Sequence, residues 1–167
     1  LLGRTDGIEV EATNGPLHYL FSLMSTREPF GDVNVRLAMK YAIDREKLVD
    51  TVLNGYGVLG NDNPIGPSYP SFDPNLEQRT YDPDKAMYHL KQAGYDRLPI
   101  EIHAGDAAFS AAVDAAVLYQ EAARPAGIDI TVVREPADGY WSDVYMQVPA
   151  FANYWGGYTT ASEMLAT

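Results

Sequence analysis

Apolar residues along this chain follow two rhythms, one of period two and one near 3.6, and the switches between them mark out its elements. Residues 8–12 alternate apolar and polar, which predicts a strand with one wet face. Residues 17–23 hold few polar positions, which predicts a second strand covered on both faces. Val35, Ala38, Met39, Ala42 and Ile43 recur at helical spacing behind Asp32 or Asn34 as cap. Asp44 interrupts that stripe and caps a second helix, with Glu46 in its first turn and Leu48, Val49, Val52 and Leu53 as its buried side. Gly55 fits the position just past its end.

Residues 54–80 are rich in Gly, Pro, Asn and Asp. A loop this long is uncommon in a compact domain, so it is either a binding loop or a strap pinned to the surface. Tyr56, Tyr69 and Phe72 are the residues that could pin it. Asp82-Pro83-Asp84 then starts a helix whose inward positions are Ala86, Leu90 and Ala93, and Gly94 ends it. Residues 98–103 predict a strand, Asp106 or Ser110 the start of an alanine-rich helix to about Ala123, and residues 128–133 a β-branched strand. Strand, crossover helix and strand in that order predict a parallel βαβ unit. Asp138-Gly139-Tyr140-Trp141 opens a short helix through Tyr145 and Met146.

The candidate chemistry lies at the end. Residues 149–152 read as a buried strand, and Tyr154-Trp155-Gly156-Gly157-Tyr158 follows it. The glycines leave backbone amides uncovered. Thr159, Thr160 or Ser162 can cap a last helix through Met164 and Leu165. Aromatic rings therefore stand at a strand end, beside bare backbone and a helix start. Ligands of open α/β sheets collect at such places, and helix starts favour anionic groups. The competing assignment makes Trp155 a core aromatic and Gly156-Gly157 a plain turn. Tyr140 and Trp141 are a neighbouring wall of the same site, or else pack their helix onto the sheet.

Composition narrows the function. The 167 residues suffice for one domain with a core, and 46% hydrophobic with 21% charged residues is ordinary for a globular protein. A formal charge of -11 repels phosphate backbones, so no nucleic-acid partner is expected. The absence of cysteine excludes disulfides, thiol nucleophiles and thiolate zinc sites. No Ser-His-Asp order, nucleophile elbow or phosphate loop is present, and the glycines of 55–60 have the wrong spacing for a dinucleotide. His18, His89 and His103 lie on separate elements, which argues against a metal site; His89 is expected to be solvated. No apolar run approaches the roughly 18 residues of a membrane span. The chain begins at Leu1 and stops at Thr167 as a helix begins, and is expected to be a mature protein or a piece of one.

From Asp32 to Arg45 the sequence DVNVRLAMKYAIDR resembles the D-V-x-V-R-x-A-x-x-x-A-I-D-R segment of the family 5 extracellular solute-binding proteins, the peptide, opine and nickel receptors of ABC importers. Leu53-Asn54-Gly55-Tyr56-Gly57, Tyr81-Asp82-Pro83-Asp84-Lys85-Ala86, Ala93-Gly94-Tyr95, Gly127-Ile128, Tyr140-Trp141 and Trp155-Gly156-Gly157 continue the likeness in order. The resemblance implies a mixed α/β fold, a sheet flanked by helices forming one lobe of a two-lobed periplasmic binding protein. It implies that residues 1–167 are a single lobe, with the solute enclosed between this lobe and another. In the oligopeptide receptors a W-x-x-D segment offers an Asp to the peptide's amino terminus. Here Tyr158 stands in place of that Asp, and a phenol supplies no charge.

The resemblance implies the substrate-binding component of an importer, with no enzymatic activity and no cofactor. Its expected solute is peptide-like, opine-like or sugar-like, and its partner a membrane permease. The expected ligand-binding residues are Trp155, Gly156, Gly157, Tyr158, Tyr154, Tyr140 and Trp141. A monomer is expected, in the periplasm or as an extracellular membrane-anchored lipoprotein. The alternatives are a ligand-sensing domain of a regulatory protein and a receptor for a nickel chelate.

Overall fold

The computed structural model describes residues 15–166 together with 7, 9, 11 and 13. The strand expected at 8–12 falls largely outside the described residues. Helices begin where a side-chain oxygen can take a free backbone N–H. Asp32 accepts from Asn34 N at 2.7 Å to start α1 (Val33–Ala42), and Asp44 from Lys47 N at 3.0 Å to start α2 (Arg45–Val52). Asp82 accepts from Lys85 N at 2.9 Å to start α3 (Pro83–Gln92), with Pro83 in the first turn. The exception is α4 (Ala112–Ala123). Neither Asp106 nor Ser110 caps it; the chain enters through a left-handed Ala111 at φ 63°. The short α5 (Ala161–Leu165) is capped by Thr160.

Four strands, β1 (His18–Leu23), β2 (Leu98–Ala104), β3 (Ile128–Arg134) and β4 (Ala150–Trp155), form one mixed sheet in the order β1-β4-β2-β3. β2 runs parallel to β3 and β4, and β1 runs antiparallel to β4. The β2-α4-β3 stretch is the expected parallel crossover unit. β2 alternates strictly: Leu98, Ile100, Ile102 and Ala104 are buried, while Pro99 and Glu101 are exposed. α4 packs on β3 and β2 through Ala112, Ala115, Ala116, Tyr119 and Ala123. α1 lies against α3, and the Tyr119 hydroxyl donates to Met39 O at 2.7 Å, tying α1 to α4. β1 was expected to be covered on both faces. Among the described residues it is the edge strand instead, most of its residues are only half-buried, and Tyr19 is exposed.

β4 is the strand buried on both faces, from Ala150 through Asn153. It also runs to Trp155, three residues past the strand end that its apolar run suggests. β2 meets it only at His103–Phe151. The last half of β4 therefore projects beyond the end of β2, with one backbone edge unpaired by any strand among the described residues. What covers that edge builds the candidate site.

Candidate functional site

After β3 the chain makes a single π-helical turn, Tyr140–Val144, entered through Gly139 at φ 78°. That turn seats Tyr140 at the end of β2. Its hydroxyl donates to Ala152 O at 2.8 Å and faces His103 O at 3.4 Å. Gly105 makes room for the ring: a Cβ there would stand 2.6 Å from Glu135 O and 3.1 Å from the phenol. Tyr140 is 1% exposed, and burial pushes its phenol up to about 12, with Glu135 adding to the shift. Of the two roles the sequence left open, Tyr140 takes the packing one. Its ring and hydroxyl close the end of the sheet, and it is not among the residues that line the cleft described below.

Trp141, one residue on, turns outward. It meets Tyr154 edge-on at 5.6 Å and Tyr145 at 5.6 Å between ring centroids, and Tyr145 in turn meets Phe151. Side chains alternate along β4, so Tyr154 leaves one face while Asn153 and Trp155 leave the other. Trp155 leans on Tyr158 at 6.2 Å. Trp141, Tyr145, Asn153, Tyr154, Trp155 and Gly156 line an open cleft of about 410 Å³. None of the six carries a charge. Trp141, Tyr154 and Tyr158 are each about two-fifths exposed, and Trp155 is half-buried rather than sealed in the core. The cleft lies past the carboxyl ends of β2 and β4, the place where open α/β sheets take ligands.

The two glycines divide the work expected of them. Nothing stands within 4 Å of a Cβ at Gly156, so its backbone is open to the cleft. Gly157 has φ 80°, and a side chain there would drive into the ring of Pro16. Gly157 is thus a close-approach residue that turns the chain, and it does not line the cleft.

The long loop answers as a strap at this point. Tyr69 accepts from Tyr158 N at 3.0 Å and donates to Tyr158 O at 2.9 Å through one hydroxyl. Ile65, Tyr69 and Met164 are buried together, with Phe72 and Ala161 packed against them. Tyr56 pins nothing there and is exposed. The expected anion site at the last helix start is already occupied. Thr160 Oγ1 accepts from Glu163 N, and the Glu163 carboxylate accepts from Thr160 N at 3.0 Å.

Sequence reasoning passed over Asn153. It is 3% exposed, the one polar residue buried to this degree among the described residues. An Asn inside an apolar strand was the signal for it. Its Oδ1 accepts from Tyr154 N at 2.8 Å, covering a donor on the edge that β2 leaves unpaired.

A second hollow, about 350 Å³, lies by the loop among Lys40, Asn61, Asp62, Arg79 and their neighbours. Arg79 from its lining and Arg45 from α2 both close on Asp62, so that carboxylate is already paired. Its polar groups hold the loop to α1 and α2. His18 bonds Pro16 O at 3.2 Å, His89 bonds Asn34 Oδ1 at 3.1 Å and stacks on Tyr41, and His103 bonds Glu135 at 2.6 Å. His89 is therefore a packed ring rather than a solvated one. Among the described residues no group of three or more His, Asp or Glu is placed to hold a metal ion, and no helix is long and apolar enough to cross a membrane.

Known proteins share this fold. The sequence profile of the bacterial extracellular solute-binding proteins, family 5 Middle, matches residues 2–166. The dipeptide-binding protein of Escherichia coli (strain K12) is 35% identical over 71 residues, 42% of this chain and 13% of that protein. The crystal structure of the dipeptide binding protein from Pseudoalteromonas sp. SM9913 in complex with Met-Leu is similar at a TM-score of 0.78, with 26% identity over 92% of this chain and 31% of that one. NikZ from Campylobacter jejuni, in complex with Ni(L-His), is similar at a TM-score of 0.75, with 28% identity over 86% of this chain and 30% of that one. The chain thus spans under a third of each of these two solved chains and less of the curated relative. Two of the three are named as dipeptide-binding proteins, and the third is described in complex with Ni(L-His).

Proposed function

The chain belongs to the bacterial extracellular solute-binding proteins of family 5, and from that premise we propose that it is one wall of a two-lobed receptor that encloses a peptide-like solute and delivers it to the permease of an ABC importer. The observation that carries this reading is the uncharged aromatic cleft past the end of β4, lined by Trp141, Tyr145, Tyr154 and Trp155. The relatives' names add support for a peptide; an opine or sugar-like solute has no such support.

Magnitudes say why a second wall is needed. Covering one aromatic ring removes about 150–250 Å² from water, worth roughly 4–6 kcal/mol before entropy costs. A micromolar site needs about 8 kcal/mol net. An open cleft with no charge falls short, and closure of another lobe over it supplies the remainder. The parent receptor would work in the periplasm, free or lipid-anchored.

A nickel chelate is the second reading, favoured by the similarity to NikZ in complex with Ni(L-His). With no metal-binding cluster among the described residues, the metal would arrive already wrapped in its chelator, which the rings would stack. Calorimetric titration of the full-length gene product with Met-Leu, glutathione and nickel-histidine separates these readings. Micromolar binding of a peptide supports the first, and binding of nickel-histidine alone supports the second. Binding of none of them overturns both.

A further inference from the structure

We infer that Asn153 is a specificity-determining residue of the solute cleft, its side-chain amide donating a hydrogen bond to a carbonyl or carboxylate oxygen of the solute. This rests on the receptor reading above and goes past it to the chemistry the cleft selects.

The orientation of the amide is fixed by its neighbour. Tyr154 N–H needs an acceptor, and Oδ1 lies 2.8 Å from it. Nδ2 therefore takes the other end of the amide, and it has no hydrogen-bond partner among the described residues. Asn153 is 3% exposed and lines the cleft with Trp141, Tyr145, Tyr154, Trp155 and Gly156. Nδ2 is not among the buried atoms left without a partner, so it reaches the open space of the cleft, where an oxygen of the solute can accept from it. Had the strand needed only a cover for Tyr154 N–H, an acceptor alone would have served.

The partner's chemistry follows from the surroundings. Two N–H donors want an oxygen lone pair, and the rings around them suit the flat face of a peptide group or an apolar side chain. An ammonium group finds no charged acceptor among the six lining residues, and Tyr158, outside those six, stands where the oligopeptide receptors are expected to place an acid. The wall therefore reads the solute by its acceptor oxygens, and the amino group is read elsewhere or not at all.

The test uses the full-length gene product with two probes, Met-Leu and N-acetyl-Met-Leu, titrated calorimetrically. Asn153→Asp keeps an acceptor for Tyr154 N–H and replaces the donor by an oxygen. The expected result is a loss of at least about tenfold in Asn153→Asp for each probe that wild type binds. Independently of any variant, the Asn153 side-chain N–H resonances of the wild type are expected to move on saturation with Met-Leu. Unchanged affinity in a folded Asn153→Asp, or unmoved resonances, overturns the inference and leaves the receptor reading standing. Failure of the wild type to bind either probe removes the peptide reading and this inference together.

Discussion

One phenol spans both backbone groups of Tyr158: the Tyr69 hydroxyl accepts from its N–H at 3.0 Å and donates to its carbonyl at 2.9 Å. The two residues are 89 positions apart. The strap is therefore part of the site, since it fixes the backbone that carries the candidate ring. Tyr69→Phe removes both bonds while keeping the ring packed beside Ile65 and Met164. The expected cost is about 1–3 kcal/mol, with a fall in melting temperature of roughly 2–10 °C and faster hydrogen exchange at the Tyr158 amide. An unchanged exchange rate would show that the strap does not hold the site loop.

The paired glycines predict opposite outcomes. Gly157→Ala meets both a positive φ and the Pro16 ring, so it is expected to destabilise by more than about 1 kcal/mol. Gly156→Ala has open space, and its melting temperature is expected to stay close to wild type. Equal effects from the two would contradict the division of roles described for them.

The sequence foretold much of this fold, and the misses share a cause. Asp44 and Asp82 were legible as caps, and Asp32 and Thr160 as candidates beside near neighbours, because a short polar side chain before an apolar stripe has a local job. The start of α4 was not, because Ala111 adopts a left-handed backbone with no side-chain signal. Tyr140 and Tyr69 depend on partners distant in the chain. Tyr140 reaches Ala152 and His103 only once β2 stops short of β4. Asn153 and Tyr154 look like the end of an apolar run, yet they continue the strand. Trp155 could be placed at a strand end, but whether it faced solvent or core was decided by packing, not by pattern.

Alkaline pH should weaken the fold. Tyr140 is pushed up to about 12, chiefly by burial, and Tyr119 is also raised by burial. In the unfolded chain both phenols release their protons near pH 10. Above that pH the unfolded state binds fewer protons than the native state, so stability falls as pH rises from about 10 toward 12. Melting temperature measured from pH 8 to 12 should decline over that window. Tyr140→Phe should lower stability at pH 8 by about 1–3 kcal/mol, from the unpaired Ala152 carbonyl, and should flatten the alkaline decline. An equally steep decline in Tyr140→Phe would assign it to other groups.

The isolated chain should bind solute poorly. With one uncharged wall the cleft cannot reach micromolar affinity on the energies above. Calorimetry on residues 1–167 with Met-Leu is expected to show no binding below about 100 μM. Micromolar binding by this chain alone would mean that no second wall is needed.

The most direct test of the aromatic cleft as the solute site is a calorimetric comparison of Trp155→Ala with wild type in the full-length gene product, titrated with whichever probe wild type binds. Loss of the indole should weaken binding by at least about tenfold while the melting temperature stays within a few degrees, because Trp155 is half-exposed and outside the main core. Equal affinity in wild type and a folded Trp155→Ala would contradict the account and return Trp155 to a structural role.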